Sequence, residues 1–236
     1  MQLADSAFPI GASSHSFGIE TLAAEGIFRA PEIEVFLTDQ LWENGQLEAR
    51  FVRLAYRAAT LANDETREEY WLTLNRILGA TKSARESRVA SATLGRRFLQ
   101  TAAQLAGDAT LQYYYQVATS AVVDIHYPVA FGLVGGRLAL GEEETVLAYL
   151  QQSTMGLLSA CLRLLPIGQG RTSEILWGLG DMFVAIASAS RSALPSTLGA
   201  KELDWQQFLA GCSTFAPLVE LGSMRHPTLS TRLFVS

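Results

Sequence analysis

Asp5, Ser14 and His15 are the residues that first invite a chemical reading, because a carboxylate, a hydroxyl and an imidazole lie in one short stretch. Together they would be the parts of a hydrolase, with the serine as nucleophile and the histidine as its base. Their spacing argues against it. A nucleophile elbow needs Gly-x-Ser-x-Gly between a strand and a helix, and no alternating apolar pattern precedes these serines. Adjacent Ser and His on a helix project in different directions, so they do not face each other. Capping and loop hydrogen bonding is the better reading. The other two histidines, His126 and His226, have no second His or Cys at ligand spacing, so no sequence-local metal site is expected. Gly132-Leu-Val-Gly135-Gly136 has neither a preceding strand nor a Lys-Ser/Thr ending, so it is read as close helix packing rather than a phosphate loop.

The stretch that positions Asp5, Ser14 and His15 runs from Leu3 to Glu20 and breaks at Pro9-Ile-Gly11. Pro9 disfavours helix for Phe8 and has no backbone donor, while Gly11 can take positive φ. Ser13 or Ser14 is then placed to cap a helix whose first turns hold His15, Phe17 and Gly18, with Gly26 as its stop.

Beyond this stretch the periodicity is helical almost everywhere. Pro31 with Glu32 and Glu34 opens a helix whose apolar face is Ile33, Phe36, Leu37 and Leu41. Phe51, Leu54, Ala55, Ala58 and Leu61 form the buried side of the next, and a further helix carries Trp71, Leu74, Ile77 and Leu78. A helix from about Ser83 to Leu105 follows, with Ser91 and Gly95 small enough for close approach. Asp108 is expected to cap a helix running to Ile125, stopped by His126-Tyr-Pro128. From Ala109 to Gly141 the only charges are Asp124 and Arg137, which predicts a central, buried helix pair. Glu142, Glu143 and Glu144 open a helix to Leu165, one spans about Ser173 to Ser192, and a short one lies near Trp205 to Leu218. No strand pattern is present. The expectation is one all-α domain, a bundle of about ten helices over residues 1–236.

Composition narrows the function class. Charged residues make up only 17% of the chain against about 25% in ordinary domains, which predicts surface buried in a dimer or complex. A net charge of −5 without a basic stripe excludes a nucleic-acid binder by expectation. No segment reads as a secretory signal or membrane span, so a cytoplasmic protein is expected. Cys161 and Cys212, far apart in apolar helical contexts, read as buried free thiols. A bundle holding an apolar ligand around Tyr113 to Leu140 stays open as an alternative.

Four stretches in register carry a resemblance. Leu3-Ala-Asp-Ser-Ala-Phe-Pro-Ile-Gly-Ala-Ser-Ser-His-Ser-Phe-Gly-Ile-Glu20 is similar to the opening motif of the urease accessory protein UreF family, with Ala12 and Ser13 as departures. His126-Tyr-Pro-Val-Ala-Phe-Gly132 resembles that family's His-x-Pro-x-Ala-x-Gly. Ala160-Cys-Leu-Arg-Leu-Leu-Pro-Ile-Gly-Gln169 resembles its Ala-x-x-Arg-Leu-x-Pro-Leu-Gly-Gln, with Arg171-Thr172 where a second Gly-Gln is usual. Met224-Arg-His-Pro-Thr-Leu-Ser-Thr-Arg-Leu-Phe-Val-Ser236 is similar to its ending, with Pro227 and Ser230 departing. The spacing Arg88-x-x-Ser91-x-x-x-Gly95 is also similar.

The resemblance implies a dimeric, non-catalytic all-α protein with no cofactor of its own. Its partners would be UreD (UreH in some species), the GTPase UreG and apo-urease, to which the assembly delivers nickel, and a transient nickel passage is implied with it. On that basis the opening-motif residues Asp5, Ser14, His15, Ser16 and Glu20 are candidates for meeting the GTPase, with Arg163 and Gln169 as a second candidate surface. The segment 224–236, with Met224, His226, Arg232, Leu233 and Phe234, is the candidate UreD-binding tail, expected to be loose until bound.

Overall fold

The computed structural model describes residues 3, 8–61, 64–192, 194, 208 and 216–235. Among them there are only helices and connections: α1 (Ile19–Ala24), α2 (Ile33–Gln40), α3 (Gln46–Ala59), α4 (Asp64–Thr81), α5 (Arg85–Ala106), α6 (Ala109–Ser120), α7 (Tyr127–Arg137), α8 (Glu142–Leu164), α9 (Gln169–Gly178), α10 (Gly180–Ser192) and α11 (Pro217–Arg225). The all-α bundle is the observed fold.

Its axis is α7, in which every residue from Tyr127 to Gly135 is buried. Three glycines let neighbouring backbones come close. A Cβ on Gly132 would run into the Val52 carbonyl of α3, one on Gly136 would lie 2.6 Å from that of Tyr56, and one on Gly95 of α5 would run into that of Ile125. The reading of Gly132 to Gly136 as a packing stretch is therefore what the structure shows. Phe131 of α7 stacks on Phe98 of α5 at 4.9 Å, and Tyr127 meets Tyr149 of α8 at 5.3 Å. α3 and α5 flank α7, α8 and α10 cover α3, and α11 lies across α1 and α5.

Local signals set several boundaries. The Asp108 carboxylate accepts the Thr110 and Leu111 amides at 2.8 and 2.9 Å, the expected N-cap of α6. Gly107 ends α5 with φ 61°. Pro128 occupies the first turn of α7, where its missing donor costs nothing.

Other expectations are corrected. α6 is not a central helix: only Leu111, Tyr114 and Ala118 are buried, and it ends at Ser120 rather than Ile125. Its freedom from charge comes from Gln, Thr and Ser facing outward rather than from burial. The helix expected over Ser173 to Ser192 starts earlier, at Gln169, and is divided at Leu179, although Leu179 N–H still reaches the Ile175 carbonyl and Phe183 N–H that of Leu179. The short helix near Trp205 to Leu218 falls largely outside the described residues, and α11 begins only at Pro217. Cys161 is buried, which pushes its thiol up to about 12, whereas Cys212 lies outside the described residues.

Candidate functional site

The opening motif folds as a tight arch rather than a capped helix. Gly11, with φ 77°, leads a single turn Ala12–Ser14, and Phe17 and Gly18 both take positive φ, 49° and 87°. α1 therefore starts only at Ile19, which corrects the expected helix through His15, Phe17 and Gly18. Gly18 is required twice over. Besides its left-handed backbone, a Cβ there would sit 2.6 Å from the Val219 carbonyl of α11.

The arch turns His15, Ser16 and Glu20 inward, all buried. Burial lowers the His15 pKa, and the nearby Arg97 lowers it further, favouring the neutral ring. Glu20, 4% exposed, is the centre of the site. Its carboxylate meets His226 Nε2 at 2.7 Å and accepts the backbone N–H groups of Leu233 at 2.5 Å and Phe234 at 3.2 Å. Beside it the Val235 amide donates to the Ser14 carbonyl at 2.9 Å, and the Arg163 guanidinium lies 4.5 Å over the Phe234 ring. The tail is thus laid down on the opening motif.

α11 fixes this arrangement from the other side. Its Glu220 accepts the Ala84 amide at 2.5 Å at the start of α5, and Ser223 pairs with Ser87 at 3.2 Å. The Arg88, Ser91 and Gly95 spacing resolves into three structural jobs. Arg88 holds the Lys82 and Ser83 carbonyls, Ser91 meets His126 Nδ1 at 3.2 Å, and Gly95 admits the Ile125 backbone. His126 is buried and faces Ser91 rather than Asp124, which is exposed. Burial, aided by Lys82 and Arg88, pushes its pKa down to about 3.

Next to the arch lies a half-open cavity of about 140 Å³. Its walls mix apolar groups such as Phe17 and Leu94 with hydroxyls, amides and one ion pair. Glu48 accepts from the Tyr149 hydroxyl at 2.7 Å and pairs with Lys82 at 2.7 Å, while Tyr127 bonds Gln152. One wall is the π-helical turn Leu41–Gly45, a geometry frequent at functional sites. Among the described residues no group of three or more His, Cys, Asp or Glu side chains is placed to hold a metal ion.

A family model for UreF matches residues 29–180 of the chain. Urease accessory protein UreF of Lachnoclostridium phytofermentans is 32% identical over all of this chain and 96% of its own length. The chain belongs to the UreF family. Relatives carrying that description in Actinobacillus pleuropneumoniae (29% identical, 97% of its length) and Nostoc (30%, 94%) also align over the whole chain. This UreF-family chain keeps its opening motif and tail outside the span matched by the family model, yet those are the parts that meet around Glu20.

The candidate residues accordingly divide. Ser14, His15, Ser16, Glu20, Arg163, His226, Leu233 and Phe234 come together in one place, whereas Asp5 lies outside the described residues. Met224, Gln169 and Arg232 are exposed, as is Leu233 beyond its amide. Sequence reasoning passed over Arg53 of α3, only 1% exposed. It bonds Ser190 at 2.7 Å and the Ala187 carbonyl at 2.6 Å on α10, and pairs with Glu142 at 2.9 Å and with Glu143 at the start of α8. The only hint was Arg53 lying among the apolar positions of a strongly amphipathic helix.

Proposed function

We propose that this chain acts in urease maturation as a non-catalytic scaffold that, with UreD (UreH), recruits and regulates the GTPase UreG so that nickel reaches apo-urease. Family membership over the full chain carries the proposal. The geometry supports it in two ways. The opening motif and the tail, assigned to different partners on sequence, form one joint surface, with Arg232, Leu233 and Val235 outward on a segment held from behind by Glu20. A scaffold that joins two partners is served by such a common edge.

The cavity beside the arch has a mainly apolar lining into which hydroxyls, amides and the Glu48–Lys82 pair are set, and among the described residues no ligand cluster converges there. That suits transient passage of a hydrated cation better than its storage, because storage needs converging ligands. A cytoplasmic homodimer belongs to the same proposal; among the described residues no helix is long and apolar enough to cross a membrane.

The test is complementation. In a urease-positive strain lacking its own UreF, this chain should restore urease activity in nickel medium and co-purify with UreD and UreG. Co-purification without restored activity would overturn the delivery role, and failure of both would overturn the proposal.

A further inference from the structure

The cavity beside the arch holds more polar capacity than the fold itself uses. Lys82 and Glu48 stand in its wall with their side chains only 16% and 17% exposed. Among the described residues Lys82 Nζ has one partner, Glu48 at 2.7 Å, although an ammonium carries three donors. Each Glu48 oxygen receives one group, Lys82 at Oε1 and the Tyr149 hydroxyl at Oε2, and a carboxylate oxygen can accept two. Burial, and the Glu48 charge after it, push the Tyr127 and Tyr149 hydroxyls well above their usual range. Both therefore stay protonated and donate, Tyr149 to Glu48 and Tyr127 to Gln152. Around these groups the wall is largely apolar, with Leu41, Leu47, Leu94, Leu157 and Val219.

We infer that this cavity binds a free α-amino acid with a branched aliphatic side chain, its carboxylate on Lys82, its ammonium on Glu48 and its side chain among the leucines. The inference goes beyond the role proposed above and does not rest on it.

Charge, capacity and size select this chemistry. An organic cation alone would be set against Lys82, and an organic anion alone against Glu48 and Glu220, which also lines the cavity. A zwitterion carries both charges on one carbon and meets the Lys82–Glu48 pair with the opposite sign at each end. The donors left on Lys82 and the open positions on Glu48 can be filled without breaking the pair or the Tyr149 bond. A water needs about 10–15 Å³ of such a volume, so 140 Å³ holds on the order of ten of them. That suits a single amino acid of leucine size, whereas a nucleotide would not fit within it. The half-open side gives entry from solvent.

NMR titration of the full chain with L-leucine tests this, read on the side-chain amides of Asn44 and Gln152 in the cavity wall. Leucine should saturate the site with a dissociation constant of about 1 mM or tighter. Leucine methyl ester lacks the carboxylate charge, N-acetylleucine lacks the ammonium and glycine lacks the side chain. Each should bind at least about ten-fold more weakly, the factor for losing one charge-assisted hydrogen bond or one buried aliphatic side chain. Lys82→Met should weaken leucine binding by the same factor. Since that variant also breaks an ion pair, Gly156→Leu is the second: a Cβ there meets only the Ala12 Cβ, at 3.9 Å, so the new side chain has room to extend into the cavity. It should melt as the wild type does and bind no leucine. The methyl ester or N-acetylleucine binding as tightly as leucine overturns the zwitterion, and glycine doing so overturns the apolar seat. Undiminished binding in Lys82→Met or Gly156→Leu overturns the location. No shift at up to about 10 mM leucine overturns the inference altogether.

Discussion

Replacing Glu20 with alanine should detach the tail from the opening motif while leaving the bundle folded. The carboxylate is 4% exposed and receives three groups, His226 Nε2 and the Leu233 and Phe234 amides. Hydrogen bonds to a charged acceptor contribute about 1.5–3 kcal/mol each, and an orphaned buried donor costs about 1–3 kcal/mol. The tail has an escape that a core strand lacks: by leaving, its amides regain water. The cost to the whole fold is then limited to what docking contributes, including about 1.5–3 kcal/mol for the buried Phe234 ring. Losing even two of the three bonds removes at least ~3 kcal/mol from docking, a shift of more than about 100-fold between bound and free tail. Hydrogen exchange on the Val235 amide is the decisive readout. That amide donates to the Ser14 carbonyl and not to Glu20, so it reports on the tail rather than on the deleted acceptor. In Glu20→Ala its protection should fall by that factor while amides of α7 keep theirs. If Val235 stays as protected as in the wild type, Glu20 does not hold the tail. If α7 loses protection together with it, the arch belongs to the core and the separation of tail from bundle is wrong.

Arg53→Ala should destabilise the whole chain by about 1–3 kcal/mol in a denaturant titration, since it takes the buried donor from Ser190 and Ala187 on α10, while Glu142 and Glu143 keep Arg57 and Arg191. The same cluster sets a pH dependence. Burial raises the Glu142 and Glu143 carboxyls, but hydrogen bonds from Arg57 and Arg53 to the first, and from Arg53 and Arg191 to the second, leave both below their usual range. Their contribution is therefore present above the ordinary carboxylate pKa and is lost as pH falls through the lowered folded values, and the acid limb of a stability profile should flatten in Arg53→Ala. His126 adds a separate limb: with a folded pKa of about 3 against 6.5 unfolded, it stabilises above pH 6.5, and that contribution declines as pH falls toward 3, so its ring signals in NMR should stay those of the neutral form down to about pH 3. Val122→Gly should stabilise the chain by about 1 kcal/mol in thermal melts, because a β-branched residue there holds φ 53° while 93% exposed, with little packing to lose.

How far the sequence could be read depended on the distance over which each signal acts. Asp108 acts within one turn of its own position, and the helix start it implies is the one observed, whereas the stop read at His126-Tyr-Pro128 came too late, because α6 already ends at Ser120. The glycines of α7 were legible as packing positions because nothing beside them suited a phosphate. α6 was misread because absence of charge was equated with burial, whereas Gln112, Gln116 and Thr119 are uncharged and face water. The Glu20 site was out of reach for another reason. Its acceptor and its His226 partner are 206 residues apart, and no local pattern states that a carboxylate on a short helix will receive backbone amides from the other end of the chain. Arg53 was hidden likewise, since an arginine on an amphipathic helix reads as surface until its partners on α8 and α10 are seen.

That long span has a consequence in time. Cells extend a chain at roughly 5–20 residues per second, so on the order of ten to forty seconds separate the synthesis of Glu20 from that of the residues it will bind. Throughout that interval the arch presents an acidic side chain with no donors to receive, and the closing contacts are among the last the molecule makes. Closure therefore waits for Val235, whose amide donates to the Ser14 carbonyl. A chain that stops within α11 lacks His226, Leu233 and Phe234, so Glu20 is left without the three groups it receives in the fold.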